Sequence, residues 1–208
     1  MSPTSISGRQ SLPVGVVLAG GRGRRLGGGK AVAQLCGRPM LSYPLAALEA
    51  VLPEVVVVAK AETELPSLPS RTRIWTESES LQHPLIGLRT ALELAAGRTV
   101  LVCAVDLPLV KPALLRRLAS AEPEAALAVV AGQGDALQPL LGRYSGRALE
   151  LLRQADPEIS VRAAVGALEP QRIEVGDPLE LFNVNTPADL ARAATLLCGP
   201  GASARLPI

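Results

Sequence analysis

The chain alternates short apolar runs with longer stretches whose apolar residues recur at helical spacing. Short runs rich in Val, Ile and Leu predict buried strands: "VGVVLA" over 14–19, "EVVVVAK" over 54–60, "TRIWT" over 72–76 and "TVLVCAVD" over 99–106. Between them, the spacing predicts helices over 38–52, 84–97 and 111–120. Pro44 interrupts the first and predicts a kink or a later start. The second opens on Pro84 and stops at Gly97, residues suited to a first turn and to a C-terminal end. Further on, strands are expected over 125–131, 137–144 and 171–175, and helices over 145–155, 160–168 and 186–199. The last carries Thr186 at its cap, Pro187 in its first turn and Gly199 at its end.

Buried strands alternating with helices predict an α/β fold, a doubly wound, mostly parallel sheet covered on both faces to give three layers. The polar stretches 1–12 and 199–208 read as loose tails around a single domain over 13–198. In such sheets ligands bind beyond the carboxyl ends of the strands. Two strands end in polar chemistry, "LAGGRGRRLGGGK" after the first and "AVDLP" after the fourth, and both should open onto one crevice.

Composition narrows the classes. Aromatics make up 2% of the 208 residues (Tyr43, Trp75, Tyr144 and Phe182), so the core is aliphatic and base-stacking on a single-stranded nucleic acid platform is not expected. A net charge of +2 is too small for a general nucleic-acid or membrane binder. The cations at 22–30 are therefore local and suit a small anionic ligand. Three cysteines, Cys36, Cys103 and Cys198, without C-x-x-C spacing, argue for thiols in a reducing compartment and against zinc or a disulfide framework. With no secretory leader pattern and no apolar run of membrane-spanning length, a cytoplasmic protein is expected.

The glycine-rich loop carries the chemistry. Glycines let backbone N–H groups approach a phosphate, and Arg and Lys supply the charge that holds it. The anion also relieves the repulsion among the cations. A P-loop is not matched, because Arg24 stands where its first glycine belongs and Ala31 where its hydroxyl belongs. Nor is the G-x-G-x-x-G fingerprint, since after Gly21 and Gly23 the next glycine, Gly27, comes one residue late. A flexible basic loop is the alternative. Asp106 suits a divalent cation or a turn cap. His83, the only histidine, suits a loop hydrogen bond or a base contact.

"LAGGRGRRLGGGK" resembles the L-x-G-G-x-[SG]-x-R-M-G-x-D-K signature of nucleotidyltransferases. "DLP" at 106–108 resembles their D-x-P, "HPLIGLRTAL" at 83–92 their G-P-L-A-G segment, and "FNVNTPADLARA" at 182–193 the F-x-N-V-N-T-P-E-D-L run of molybdenum cofactor guanylyltransferases. Order and spacing agree over 14–197. The resemblance implies the Rossmann-like fold of nucleotide-diphospho-sugar transferases and Mg²⁺-dependent transfer of GMP from GTP to molybdopterin, with release of pyrophosphate. It assigns the nucleotide to the backbone at Leu18, Ala19, Gly20 and Gly21, the phosphates to Arg25 and Lys30, Mg²⁺ to Asp106, and a place near the nucleotide to Glu77. Asn183 and Asn185 fall on the molybdopterin side, and Arg162 is a candidate for the acceptor's phosphate. Proteins that deliver the cofactor or receive it become candidate partners.

Gly29 replaces the aspartate of D-K, His83 a glycine, Ile86 an alanine, and Gln138 a histidine of related H-P segments. Other readings left open are a cytidylyltransferase, a sugar-phosphate nucleotidyltransferase, and a nucleotide-binding homologue without catalysis.

Overall fold

The computed structural model describes residues 12–21, 26, 29–77, 83–121, 126–156, 158–201 and 203–206. In chain order its elements are β1 (Val14–Leu18), β2 (Gln34–Leu35), β3 (Arg38–Pro39), α1 (Ser42–Glu49), β4 (Val55–Ala59), β5 (Arg73–Thr76), α2 (Pro84–Leu94), β6 (Val100–Ala104), α3 (Pro112–Ser120), β7 (Ala128–Gln133), β8 (Ala136–Tyr144), α4 (Ala148–Gln154), α5 (Val161–Gly166), β9 (Gln171–Glu174), α6 (Pro187–Cys198) and β10 (Ala204–Arg205).

Seven strands form the main sheet in the order β5-β4-β1-β6-β8-β7-β9. β1 pairs in parallel with β4 and β6, β4 with β5, and β7 with β9; β8 alone runs antiparallel, between β6 and β7. The all-apolar runs of β1, β4 and β6 are buried along their whole length, as strands covered on both faces must be. One face packs against α1 and α3 through Leu45, Leu48, Leu114 and Leu118. The other packs against α2, α4 and α5 through Leu85, Leu88, Leu152 and Val165. The expected three-layer, mostly parallel α/β architecture is the one observed.

Three differences have local causes. The helix expected over 38–52 is shorter, because Arg38–Pro39 pair with Gln34–Leu35 and α1 begins at Ser42. Pro44 then sits in its first turn, where its missing N–H costs no helical bond. A three-stranded sheet, β10-β2-β3, was not foreseen, because strands of two residues carry no periodicity. Its cover, α6, buries Leu190, Ala193 and Ala194 on Leu35 and Met40 in a separate small core. Finally, Cys36 and Cys198 form a disulfide across 162 residues and only Cys103 is a free thiol, which corrects the expectation of three thiols. The pair is invisible to local spacing, since it joins the turn between β2 and β3 to the end of α6. No helix among the described residues is long and apolar enough to cross a membrane.

Candidate active site

β1 and β6 are neighbours in register, so their carboxyl ends finish side by side. Past the strand ends, Val105 N–H donates to the Leu18 carbonyl at 3.0 Å, which extends the pairing by one step and brings Asp106 to the mouth of the sheet. The Asp106 carbonyl in turn accepts from Val184 N–H at 2.9 Å, and this bond draws the segment before α6 alongside. The result is a crevice of about 330 Å³ whose walls include Leu18, Gly20, Gly21, Lys30, Glu77, Asp106 and Asn185. The two polar strand ends do open onto one hollow.

At one end of the crevice the charged groups converge. Lys30 Nζ donates to Asp106 Oδ2 at 2.7 Å and to Asn185 Oδ1 at 2.9 Å. The side chains of Lys30 and Asp106 are 11% and 19% exposed. Gly29 makes the approach possible. Its φ of +54° is left-handed, and its carbonyl accepts from Val32 and Ala33 N–H at 2.9 and 3.1 Å, closing a turn at the lysine. Where the related motif has an aspartate beside the lysine, this chain has a glycine, and Asp106 and Asn185 orient the lysine instead.

Asp106 is not a cap: α3 starts at Pro112 behind Lys111. Its second oxygen, Oδ1, is buried and has no hydrogen-bond partner among the described residues. An orphaned carboxylate oxygen beside an amide oxygen suits a hard divalent cation. Among the described residues no group of three or more His, Cys, Asp or Glu side chains gathers. The donor set therefore fits an ion such as Mg²⁺, which keeps water and phosphate oxygens in its shell.

Another part of the wall is formed by the next rung of the β4–β5 ladder. Ala59 pairs with Thr76, and beyond them Glu77 N–H donates to the Ala59 carbonyl at 2.9 Å. Lys60 and Glu77 thus stand abreast, with Nζ and Oε2 3.8 Å apart and both side chains 5% exposed. A Cβ on Gly20 would overlap Glu77 Oε1, so glycine lets the carboxylate lie this close to the loop backbone. Lys60 was not singled out from the sequence. The available signal was a lysine closing an otherwise apolar strand run. His83 is the N-cap of α2, its Nδ1 accepting from Leu85 N–H at 3.3 Å while its ring borders the crevice.

Ala19, Asn183 and Arg162, also expected at the site, are not among the residues that line the crevice. Ala19 is buried in the core, its N–H donating to the Val58 carbonyl at 2.8 Å. Asn183 accepts from Gln138 Nε2 at 3.4 Å and donates to the Leu181 carbonyl at 3.2 Å, so its side chain ties the loop before α6 to β8. Arg162 is exposed on α5 and does not line the crevice. Arg25 lies outside the described residues, as do Arg22 and Arg24.

The loop that presents Asn185 is held by α6. Thr186 Oγ1 accepts from Asp189 N–H at 3.1 Å, while Asp189 Oδ2 accepts from Thr186 and Asn185 N–H at 2.9 and 3.1 Å, a capping box. Its hydrogen bonds with Thr186, and that from Asn185, hold the Asp189 carboxyl below the usual aspartate range. Burial pushes the Cys103 thiol up, and the nearby Asp106 charge adds to the effect, so this cysteine is no nucleophile.

A lysine-bearing turn, an orphaned carboxylate oxygen and a polar pocket at the carboxyl edge of a parallel sheet suit a nucleotide, and the relatives are of a matching class. The MobA-like NTP transferase domain matches residues 15–172. A molybdenum cofactor guanylyltransferase of Rhizobium leguminosarum bv. trifolii (strain WSM2304) is 34% identical over 91% of this chain and 95% of its own. One of Pseudomonas syringae pv. syringae (strain B728a) is 34% identical over 83% of this chain and 88% of its own. The crystal structure of molybdopterin-guanine dinucleotide biosynthesis protein A from Archaeoglobus fulgidus superposes with a TM-score of 0.70 at 28% identity, covering 88% of this chain and 97% of that one. The chain belongs to the MobA-like NTP transferase domain family, among the molybdenum cofactor guanylyltransferases, and is a nucleotidyltransferase.

Proposed function

We propose that the chain transfers GMP from GTP to molybdopterin, forming the guanine dinucleotide form of the cofactor and releasing pyrophosphate, with Mg²⁺ as its metal. The observation that carries this reading is the cluster of Lys30, Asp106 and Asn185 at one end of the crevice, with a carboxylate oxygen left without a hydrogen bond. The names of the relatives supply the substrates.

The reaction asks little acid–base chemistry of the protein. The nucleophile is a phosphomonoester whose second pKa is about 6, so it is largely ionised near neutrality. An oxygen of that phosphate attacks the α-phosphorus of GTP. A new P–O bond forms as the α–β bridge breaks, and the electron pair leaves with pyrophosphate. The protein's part is to align two polyanions and offset their repulsion. The backbone at Gly20 and Gly21 takes the nucleotide, and Lys30, with Arg25 in the same loop, takes the phosphates and the charge developing on the leaving group. Asn185 faces the acceptor side, and Asn183 orders the loop that carries it. Asp106, with Asn185 beside it, would hold Mg²⁺, which when bound draws charge from the phosphoryl oxygens.

The test is pyrophosphate release from GTP, CTP, ATP and UTP, each with and without molybdopterin. Release from GTP alone, and only with the acceptor present, is expected. Preference for CTP would overturn the guanylyl assignment. Tight GTP binding with no turnover in the presence of molybdopterin would make the chain a binding homologue.

A further inference from the structure

The Lys60–Glu77 pair, which lines the crevice, has no part in the transfer chemistry described above. Lys60 and Glu77 are both nearly buried, and burying two charges in a small hollow is expensive unless something compensates. Their placement is also well fixed. Lys60 N–H donates to Thr63 Oγ1 at 3.1 Å, and its carbonyl accepts from Thr63 N–H at 3.0 Å. Glu77 is held from β4 through its own N–H, and its Oε1 is packed between Gly20 and Gly87, where a Cβ on Gly87 would come within 3.1 Å of it. Both side chains line the same crevice as Lys30 and Asp106, across the Gly20–Gly21 backbone. An ammonium and a carboxylate therefore stand side by side, 3.8 Å apart, and Lys60 also borders a smaller hollow with Gly29 and Lys30.

We propose that Lys60 is a base-reading residue: its ammonium and the Glu77 carboxylate together take the hydrogen-bonding edge of guanine. The ammonium donates to O6, and the carboxylate accepts from N1–H and from the N2 amino group. This inference rests on the GTP reading above and goes beyond it by naming a specificity residue. The match is one of sign and order. Guanine alone among the four bases presents one acceptor followed by two donors along that edge. Adenine places an amino donor against the ammonium and offers N1, an acceptor, to the carboxylate. Cytosine likewise places N3, an acceptor, against the carboxylate. Uracil offers a single donor between two acceptors. A site built to hydrogen-bond a polar edge rejects analogues that lack it, because its own buried groups are then left unpaired. The pair also supports itself, since each charge offsets the cost of burying the other while the crevice is empty.

Binding of nucleotide triphosphates is measured by titration calorimetry on the whole chain, independently of turnover. The probes are GTP, ITP (which lacks the N2 amino group), the triphosphate of 2-aminopurine riboside (which lacks O6) and ATP. Wild-type protein is expected to bind GTP about tenfold or more tighter than each of the other three. Lys60→Met is expected to reduce the preference for GTP over ATP by about tenfold, and Lys60→Arg to retain most of it. A Lys60→Met protein that loses affinity for all triphosphates by one common factor would make Lys60 merely structural and overturn the inference. Should Lys60→Met fail to fold, the wild-type comparison decides alone, and equal affinity for GTP and the 2-aminopurine analogue overturns it. Guanine preference without transfer to molybdopterin would leave the inference standing and remove the proposed reaction. Binding of no triphosphate at all would remove both.

Discussion

Asp106→Ala separates the chemistry of the crevice from its stability. Two effects of the substitution on the fold oppose each other. Lys30 Nζ loses a charge-assisted hydrogen bond at 2.7 Å, worth about 1.5–3 kcal/mol. The pair is only 11% and 19% exposed, so screening by water removes little of that. In the other direction, truncation removes Oδ1, a buried oxygen without a partner among the described residues, and relieves about 1–3 kcal/mol of unmet solvation. The net change lies within about 2 kcal/mol of zero, which for a chain of this size shifts the melting temperature by less than about 8 °C in either direction. Catalysis has no such compensation. Loss of the carboxylate that would hold the metal should slow transfer by at least about 10³-fold, or about 4 kcal/mol of transition-state stabilisation. Calorimetric melting with and without Mg²⁺ and GTP, alongside pyrophosphate release, reads both effects. Saturating ligand at about 100 times its Kd should raise the wild-type melting point by about 5–11 °C, and the variant should lose most of that rise. A variant that melts more than about 10 °C below wild type without ligand would show Asp106 to be structural. One that keeps a Mg²⁺-dependent rise or Mg²⁺-dependent turnover would refute its role as the metal's anchor.

Gly20→Ala puts a methyl group where Glu77 Oε1 lies, so the carboxylate must shift beside Lys60. GTP affinity should fall by about tenfold or more, and unaltered affinity would show that the carboxylate has room to move. Asp189→Ala removes the capping box beside Asn185 and should cost about 0.5–2 kcal/mol at neutral pH. Because the folded Asp189 carboxyl lies below its ordinary value of 3.8, its contribution is complete above that value and is lost as pH falls through the lower folded one. The gap between wild type and variant in urea melts should therefore close in acid, and a gap independent of pH would contradict the assignment. Reducing Cys36–Cys198 opens a cross-link spanning 162 residues and should lower stability by about 2–4 kcal/mol. An identical melting point with and without dithiothreitol would exclude the disulfide as a stabilising link.

Much of the fold was legible along the chain. Val14–Leu18, Val55–Ala59 and Val100–Ala104 announce themselves as buried parallel strands because both of their faces need apolar side chains. Prolines mark the starts of α2, α3 and α6 for an equally local reason, since a first-turn residue needs no N–H partner. The glycine-rich loop and Asp106 were legible as candidates because ligands in such sheets bind at strand ends, and Gly20, Gly21, Lys30 and Asp106 do line one crevice. The two-residue strands β2, β3 and β10 were not, since their pairing depends on partners far along the chain.

The sequence by itself thus determined the layer architecture and the sheet edge at which the glycine-rich stretch and Asp106 come together, since these follow from hydrophobic period and local backbone chemistry. Only the tertiary structure decided which side chains meet. Lys30 reaches Asp106 and Asn185 across 76 and 155 residues of chain, Lys60 meets Glu77 through the register of β4 on β5, and Cys36 finds Cys198 because α6 packs over β2. Each is a long-range contact, fixed by how strands align and helices pack, and no periodicity along the chain encodes it.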